Sequence, residues 1–290
     1  MFPSLWGKKV AAKDYSGTIV KAHESVTRFK VGDKVYGQIE FTEKIKSGAG
    51  TLVQYAICPV ETIAKRPTQL SAIDLAGITT VAQTAFSMIE TADSLFQNKN
   101  KNPRVLVCGG SSTVGLMAIP ILKHKGAFVA STCSKTKFDV VSKRGADETF
   151  DYRSKDFQKN LKDATEKDGK FDLIIDCVNS HDVWLISPKI LQKGASYVNV
   201  GFDASQGTLT AIRRNLSYSL LPTWLGGVPT KYVRPAGVGT RKTMDTLEDL
   251  VNKGVVTPIN DSVFEWEQVK EAFARLQTNQ TIGKVVIKVP

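Results

Sequence analysis

Two places in the sequence carry residue types and spacings that could do chemistry. The first lies between a short apolar run, RVLVC at residues 104–108, and a stretch in which Leu116, Ile119, Leu122 and Lys123 recur at helical spacing. Between them stand Gly109, Gly110, Ser111, Ser112, Thr113, Val114 and Gly115. Small residues in such a turn let the backbone approach a pyrophosphate, whose charge is met by unpaired N–H groups at the start of the following helix. The pattern departs from G-x-G-x-x-G, because Ser112 and Thr113 stand where further glycines would be expected. A strand–turn–helix without a ligand is the alternative reading. The second place is the end of the next strand, AFVASTC. NAD-selective sites of this kind carry an Asp or Glu there to hold the ribose 2′-OH. This chain has Thr132, Cys133, Ser134 and Lys135, with Lys137 close by and no acid. A hydroxyl and an ammonium suit a 2′-phosphate, so the expected cofactor is NADPH; a solvated helix lysine is the other reading of Lys137.

Metal chemistry finds no comparable support. Cys58, Cys108, Cys133 and Cys177 are far apart, with no C-x-x-C pair, which suggests neither a disulfide framework nor a zinc ribbon. They read as small core residues in a reducing compartment. His23 and Glu24 fall in a loop without ligand partners, and His124 and His181 read as surface helix residues, so no metal site is expected.

The elements that must position these residues follow from pattern and length. At 290 residues with 42% apolar content, the chain suits two domains, one interrupted by the other. The net charge of +11 comes from lysines spread along the sequence. There is no basic stripe interleaved with aromatics, so no nucleic-acid partner is expected, while an anionic cofactor suits the sign. No basic end is followed by a long apolar run, and no segment reaches the ~20 apolar residues of a membrane span, so a soluble, cytoplasmic protein is expected.

Residues 1–75 read as β-rich, with strands at 15–20, 34–36 and 51–57. Residues 76–92 read as one helix of small and apolar residues. Strand and helix then alternate: helix 135–144, strand 148–150, helix 154–166, strand 171–177, helix 183–191 and strand 195–200. Near-continuous apolar strands in such a series indicate a parallel sheet covered on both faces, with ligands at the strand C-terminal edge. Residues 203–239 read as a helix plus an irregular apolar loop, serving as an interdomain or subunit contact or as part of a substrate pocket. Met244, Leu247, Leu250 and Val251 give one apolar helix face, Val269, Ala272, Phe273 and Leu276 a second, and residues 284–289 a final strand.

The order of segments resembles a family. RFKVGDKVYG, GTLVQYAICP, TTVAQTAFSMI, VLVCGGSSTVG, KRGADETFDYRSKDF, FDLIIDCVNS and GKVVIKV look like successive motifs of the zinc-independent, quinone-oxidoreductase-like branch of the medium-chain dehydrogenase/reductases. Ser112-Thr113 together with DYSGTIV looks most like the fungal subgroup that includes the yeast Yim and Ast proteins. The resemblance implies an α/β fold: a doubly wound parallel Rossmann sheet, residues 76–239, inserted in a GroES-like β-rich domain, residues 1–75 and 240–290. Family members begin with further strands, so it also implies a partly truncated GroES-like domain. By resemblance, Ser134, Lys137 and Tyr152 surround the adenosine phosphate. Thr84, Val178, Gly201, Phe202, Gly283 and Lys284 match cofactor positions, several of them near the nicotinamide, although Thr84 could equally bond its own backbone. DYSG stands where zinc-dependent relatives carry His-Glu. The implied activity is NADPH-dependent hydride transfer to quinones or α,β-unsaturated carbonyls. No catalytic residue is assigned: Tyr36, Tyr55 and solvent stay open as proton donors. The alternative is a catalytically weak or inactive protein that keeps the fold and associates with a partner, an intracellular membrane or a lipid droplet; a homodimer is also left open.

Overall fold

The computed structural model describes residues 10–39, 47–98, 101–201, 208–225, 227–235 and 239–290. The chain divides into two compact units, Met1–Gln83 with Gly237–Pro290, and Thr84–Ala236.

In the first unit, β1 (Asp14–Thr18), β2 (Lys34–Gln38) and β3 (Ile63–Lys65) form an antiparallel sheet in that order. Phe29, Val35 and Ile63 make its buried core, with Tyr15, Ile19, Val26, Cys58 and Val60 packed against them. The strand expected at 51–57 is absent. The amides of Thr51 and Leu52 bond the carbonyl of Ala11 instead of a ladder, while Tyr55 and Ile57 lie exposed. A short helix, α1 (Ala72–Leu75), precedes the helix expected over 76–92, which is α2 (Thr79–Glu90). Ser71 and Asp74 form a capping box that starts α1, and the chain breaks near Gly77, where a Cβ would lie 2.8 Å from the Lys284 side chain. The C-terminal segment supplies α8 (Arg241–Asn252), whose Met244, Leu247, Leu250 and Val251 are buried. It also supplies β10 (Asn260–Phe264), α9 (Val269–Gln277) and β11 (Lys284–Ile287), the two strands pairing in parallel. Arg241 donates to the carbonyls of Val60 (3.0 Å) and Ile63 (2.7 Å), stitching α8 to β3.

The second unit is a six-stranded parallel sheet. Its strands are β4 (Arg104–Cys108), β5 (Phe128–Cys133), β6 (Glu148–Asp151), β7 (Phe171–Asp176), β8 (Leu191–Asn199) and β9 (Lys231–Val233), in the order β6-β5-β4-β7-β8-β9. Between them run α3 (Thr113–His124), α4 (Phe138–Lys143), α5 (Phe157–Asp168), α6 (His181–Ile190) and α7 (Thr208–Leu220). Val105, Leu106, Val107, Leu173, Ile174 and Ile175 are fully buried, as strands covered on both faces must be. Strand β9 lies inside the stretch expected to be irregular. Because β4 neighbours both β5 and β7, the strand order reverses between β4 and β7, and a crevice opens there at the strand C-termini.

Candidate functional site

Turns from four strands meet at that crevice. The turn after β4 is anchored to β5, since the amides of Gly109 and Gly110 donate to the Thr132 carbonyl at 3.1 and 2.9 Å. Its glycines are demanded by space. A Cβ on Gly109, which has φ +76°, would lie 2.4 Å from Val178; on Gly110, 1.9 Å from Ser131 Oγ; on Gly115, 2.4 Å from the Gly109 carbonyl. Ser112 is the N-cap of α3, its hydroxyl accepting from the Gly115 amide at 3.1 Å. The amides of Thr113 and Val114 carry no such cap, and Ser111, Ser112, Thr113 and Val114 are only half-buried, leaving an anion-accepting helix start open to a ligand. The turn after β7 touches this one through Val178, and the turn after β8 closes on it, because a Cβ on Gly201 would lie 2.2 Å from the Asn179 amide. The structure therefore brings residues 109–115, Val178 and Gly201 to one rim.

The β7 turn is held by a group that sequence reasoning missed. Asp176, wholly buried, accepts from the amides of Val178 (3.0 Å) and Ser180 (2.7 Å) and from the hydroxyl of Tyr197 (2.5 Å). Burial raises its carboxyl above the usual range, opposed by the Tyr197 bond and those backbone amides. Asn199 donates to Asn179 at 2.7 Å, and Asn179 takes a left-handed φ of 63° beneath Gly201. Tyr197 in turn packs on Trp184, which also meets Tyr218 and Tyr232, with ring centroids 5.0, 4.9 and 5.2 Å apart. The only signal in the sequence was an acid ending a largely apolar strand.

At the other end of the rim, β5 and β6 finish side by side, with Cys133 opposite Asp151. Ser134 is buried, its hydroxyl 3.2 Å from that of Thr136, and half-buried Lys137 follows in the same turn. Tyr152, half exposed, follows β6, and Arg153 lies over its ring at 5.5 Å and donates to its hydroxyl at 3.2 Å. Arg153 is a second cation at this corner that the sequence did not single out. Asp151 accepts the Arg153 amide at 3.0 Å and so is engaged within its own turn.

The remaining expected positions are described within their own units. Thr84 is half-buried on α2, and its carbonyl accepts from Ser87. Gly283 and Lys284 belong to the first unit: Gly283 has φ +102°, and Lys284 pairs with the buried carboxylate of Asp14 at 3.1 Å. Asp14 also accepts from the amide and hydroxyl of Thr80, and the Thr80 hydroxyl faces Gln38, which donates to Gln83 at 3.0 Å. This polar core was not anticipated. Phe202 lies outside the described residues. Of the two tyrosines considered as proton donors, Tyr36 is wholly buried and its hydroxyl is pushed far up by burial, while Tyr55 is 76% exposed. Neither has the half-enclosed setting of a positioned acid. His181 is exposed at the start of α6, but its Nδ1 lies 2.6 Å from the Tyr218 hydroxyl.

Among the described residues, no three His, Cys, Asp or Glu side chains converge as metal ligands would. All four cysteines are free; burial raises the thiols of Cys108 and Cys177, and that of Cys133 is pushed up to about 11. Among the described residues, no helix is long and apolar enough to cross a membrane.

Residues 144–287 match a family model described as zinc-binding dehydrogenase. The chain is 29% identical to the mitochondrial NAD(P)H oxidoreductase RTN4IP1 of Danio rerio, over 99% of this chain and 73% of that protein. It is 27% identical to the trans-enoyl reductase pgmF of Aspergillus terreus, over 95% of this chain and 76% of that one. The quinone oxidoreductase of Coxiella burnetii shares its fold, with a TM-score of 0.75 at 21% identity over 97% of this chain and 80% of that one. The crevice at the β4–β7 switch point, the split first unit and these likenesses together give the chain the medium-chain dehydrogenase/reductase fold and make it similar to the oxidoreductases and enoyl reductase named above.

Proposed function

We propose that this chain is an NADPH-dependent oxidoreductase that reduces quinones or α,β-unsaturated carbonyls without zinc. The observation that carries the reading is the rim itself: a glycine-tight turn opening onto uncapped amides at one end, and at the other a corner of Ser134, Lys137, Tyr152 and Arg153 where β5 ends without an acid. The names of the relatives, an NAD(P)H oxidoreductase, a trans-enoyl reductase and a quinone oxidoreductase, fit this chemistry. The finer resemblance to the fungal Yim and Ast subgroup is part of the proposal.

Bound NADPH supplies the hydride. The chain's own residues do the rest. Glycines 109, 110 and 115 let the main chain approach the pyrophosphate, and the amides of Thr113 and Val114 meet its charge. Ser134 and Lys137 receive the 2′-phosphate, with Tyr152 and Arg153 beside them. Asp176 holds the β7 turn, and with it Val178, in place at the rim, where Val178 would help hold the cofactor. Positioning and water exclusion are then the main tasks left to the protein, and the closing proton comes from solvent.

NADPH and NADH oxidation, measured with a panel of quinones and enones, tests this. NADPH should be preferred, and Lys137→Glu should reduce that preference about tenfold or more, the scale of one lost charge-assisted contact of about 1.5–3 kcal/mol. Absence of binding by either nucleotide, read by fluorescence titration, would end the proposal.

A second reading has its own observation. Ile212, Leu216, Leu221, Trp224 and Leu225 are all at least 40% exposed, from α7 to the turn after it, in a chain of net charge +11. A protein that keeps the fold but works as a membrane-peripheral or partner-binding module would present such a face. It predicts co-sedimentation with anionic liposomes and negligible turnover; an active protein that stays in the supernatant contradicts it.

A further inference from the structure

At the edge of the parallel sheet opposite the cofactor rim, the starts of β7, β8 and β9 enclose a cleft of about 350 Å³. Three lysines line it: Lys170 just before β7, Lys193 near the start of β8, and Lys231 at the start of β9. No acidic residue is among the residues that line it. Lys193 and Lys231 have no ion-pair partner among the described residues, and Lys170 reaches only the Pro188 carbonyl, at 3.4 Å. The backbone adds a second, independent observation. Leu191 stands opposite Phe171 and Ser196 opposite Leu173, so residues 192–195 bulge out of the ladder against the single residue Asp172. A bulge frees main-chain groups from strand pairing and re-aims side chains. Lys193 and Gly194 lie within it, and Gly194 has φ +81° with open space where a Cβ would lie. The remaining polar side chains are those of Gln192 and Thr230, the Thr230 hydroxyl lying 2.8 Å from that of Ser187.

Like charges gathered around one concavity repel one another, and an anion seated among them would relieve that repulsion. We propose that this cleft is a second anion site, separate from the cofactor rim, that binds a small anion carrying several phosphate groups. The ligand is either a free phosphate ester or the multiply phosphorylated headgroup of a lipid. Both present the same oxygens to Lys170, Lys193 and Lys231, and the freed amides of the bulge add neutral donors.

The test titrates the full chain with inorganic tripolyphosphate by calorimetry, and sediments it with phosphatidylcholine vesicles with and without phosphatidylinositol bisphosphate. One variant combines Lys193→Glu and Lys231→Glu, both exposed side chains; the control, Lys270→Glu, changes an exposed lysine on α9 in the other unit. Saturable, salt-sensitive binding should weaken at least tenfold in the double variant and stay within twofold in the control. NADPH affinity should be unchanged in both, which keeps this outcome separate from the fate of the proposed activity. Binding of tripolyphosphate identifies a free ester, and binding only to the phosphoinositide vesicles identifies a headgroup. No binding to either, or an equal loss in the double variant and the control, overturns the proposal.

Discussion

Gly115 sits where a single methyl group has nowhere to go. Its Cβ would meet main-chain atoms of Gly109 and Gly110, at 2.4 and 2.7 Å, and backbone cannot swing aside as a side-chain tip can. Gly115→Ala is therefore expected to lower stability by about 1–3 kcal/mol in urea unfolding, the range for overpacking, and to weaken nucleotide binding because the turn must widen. A variant with unchanged midpoint and unchanged NADPH affinity would show the turn to be looser than this geometry. The glycines and the missing acid after β5 were legible in the sequence because both are local, one turn and one strand end. Asp176 was not. Its importance comes from Tyr197, on the neighbouring strand twenty-one residues away, and such a bond exists only once β7 and β8 pair. Arg153 escaped notice for the same reason, being a charge that matters only beside Tyr152 and the end of β5.

At the scale of elements, periodicity identified the central strands and their helices, because strands buried on both faces leave unbroken apolar runs. It failed where pairing, not pattern, decides. Residues 51–57 alternate like a strand, yet β2 already has β1 and β3 on its two edges. Conversely, β9 and β10 were unforeseen: β9 has three residues, too few for a pattern, and β10 is polar enough, as NDSVF, to read as loop. What secures β10 is Asp261. It accepts from Arg275 of α9 through two bonds of 2.7 Å and from the amide of Ile282, just before β11, at 2.9 Å. The guanidinium bonds, foremost, hold its carboxyl down to about 2. A depressed pKa stabilises the fold above the ordinary carboxylate value of about 4 and loses that contribution as pH falls toward 2. The melting temperature of the wild type should thus fall more steeply between pH 4 and pH 2 than that of Asp261→Asn, which has no proton to gain there. Parallel curves would remove Asp261 from the account of acid sensitivity.

For the molecule as a whole, the division of labour follows the chain. The middle stretch builds a sheet with the proposed cofactor rim at one edge and a lysine-lined cleft at the other, while the two ends of the sequence share a unit stitched by Arg241, Arg28 and Asp245. Whether the two units melt together or apart can be read optically, from the aromatic cluster around Trp184. This indole is 2% exposed and packed among three tyrosines, so its fluorescence should be blue-shifted and fed by energy transfer from its neighbours. Trp224, 81% exposed, should emit at the red end and yield to acrylamide. In a variant carrying Trp224→Phe, Trp266→Phe and Trp6→Phe, the remaining emission reports the sheet alone. If its transition in urea lies apart from the far-ultraviolet dichroism curve, the two units unfold in separate steps; if the two coincide, they share one. The cluster that braces Asp176 is thus also a built-in lamp for the unit that holds the proposed cofactor.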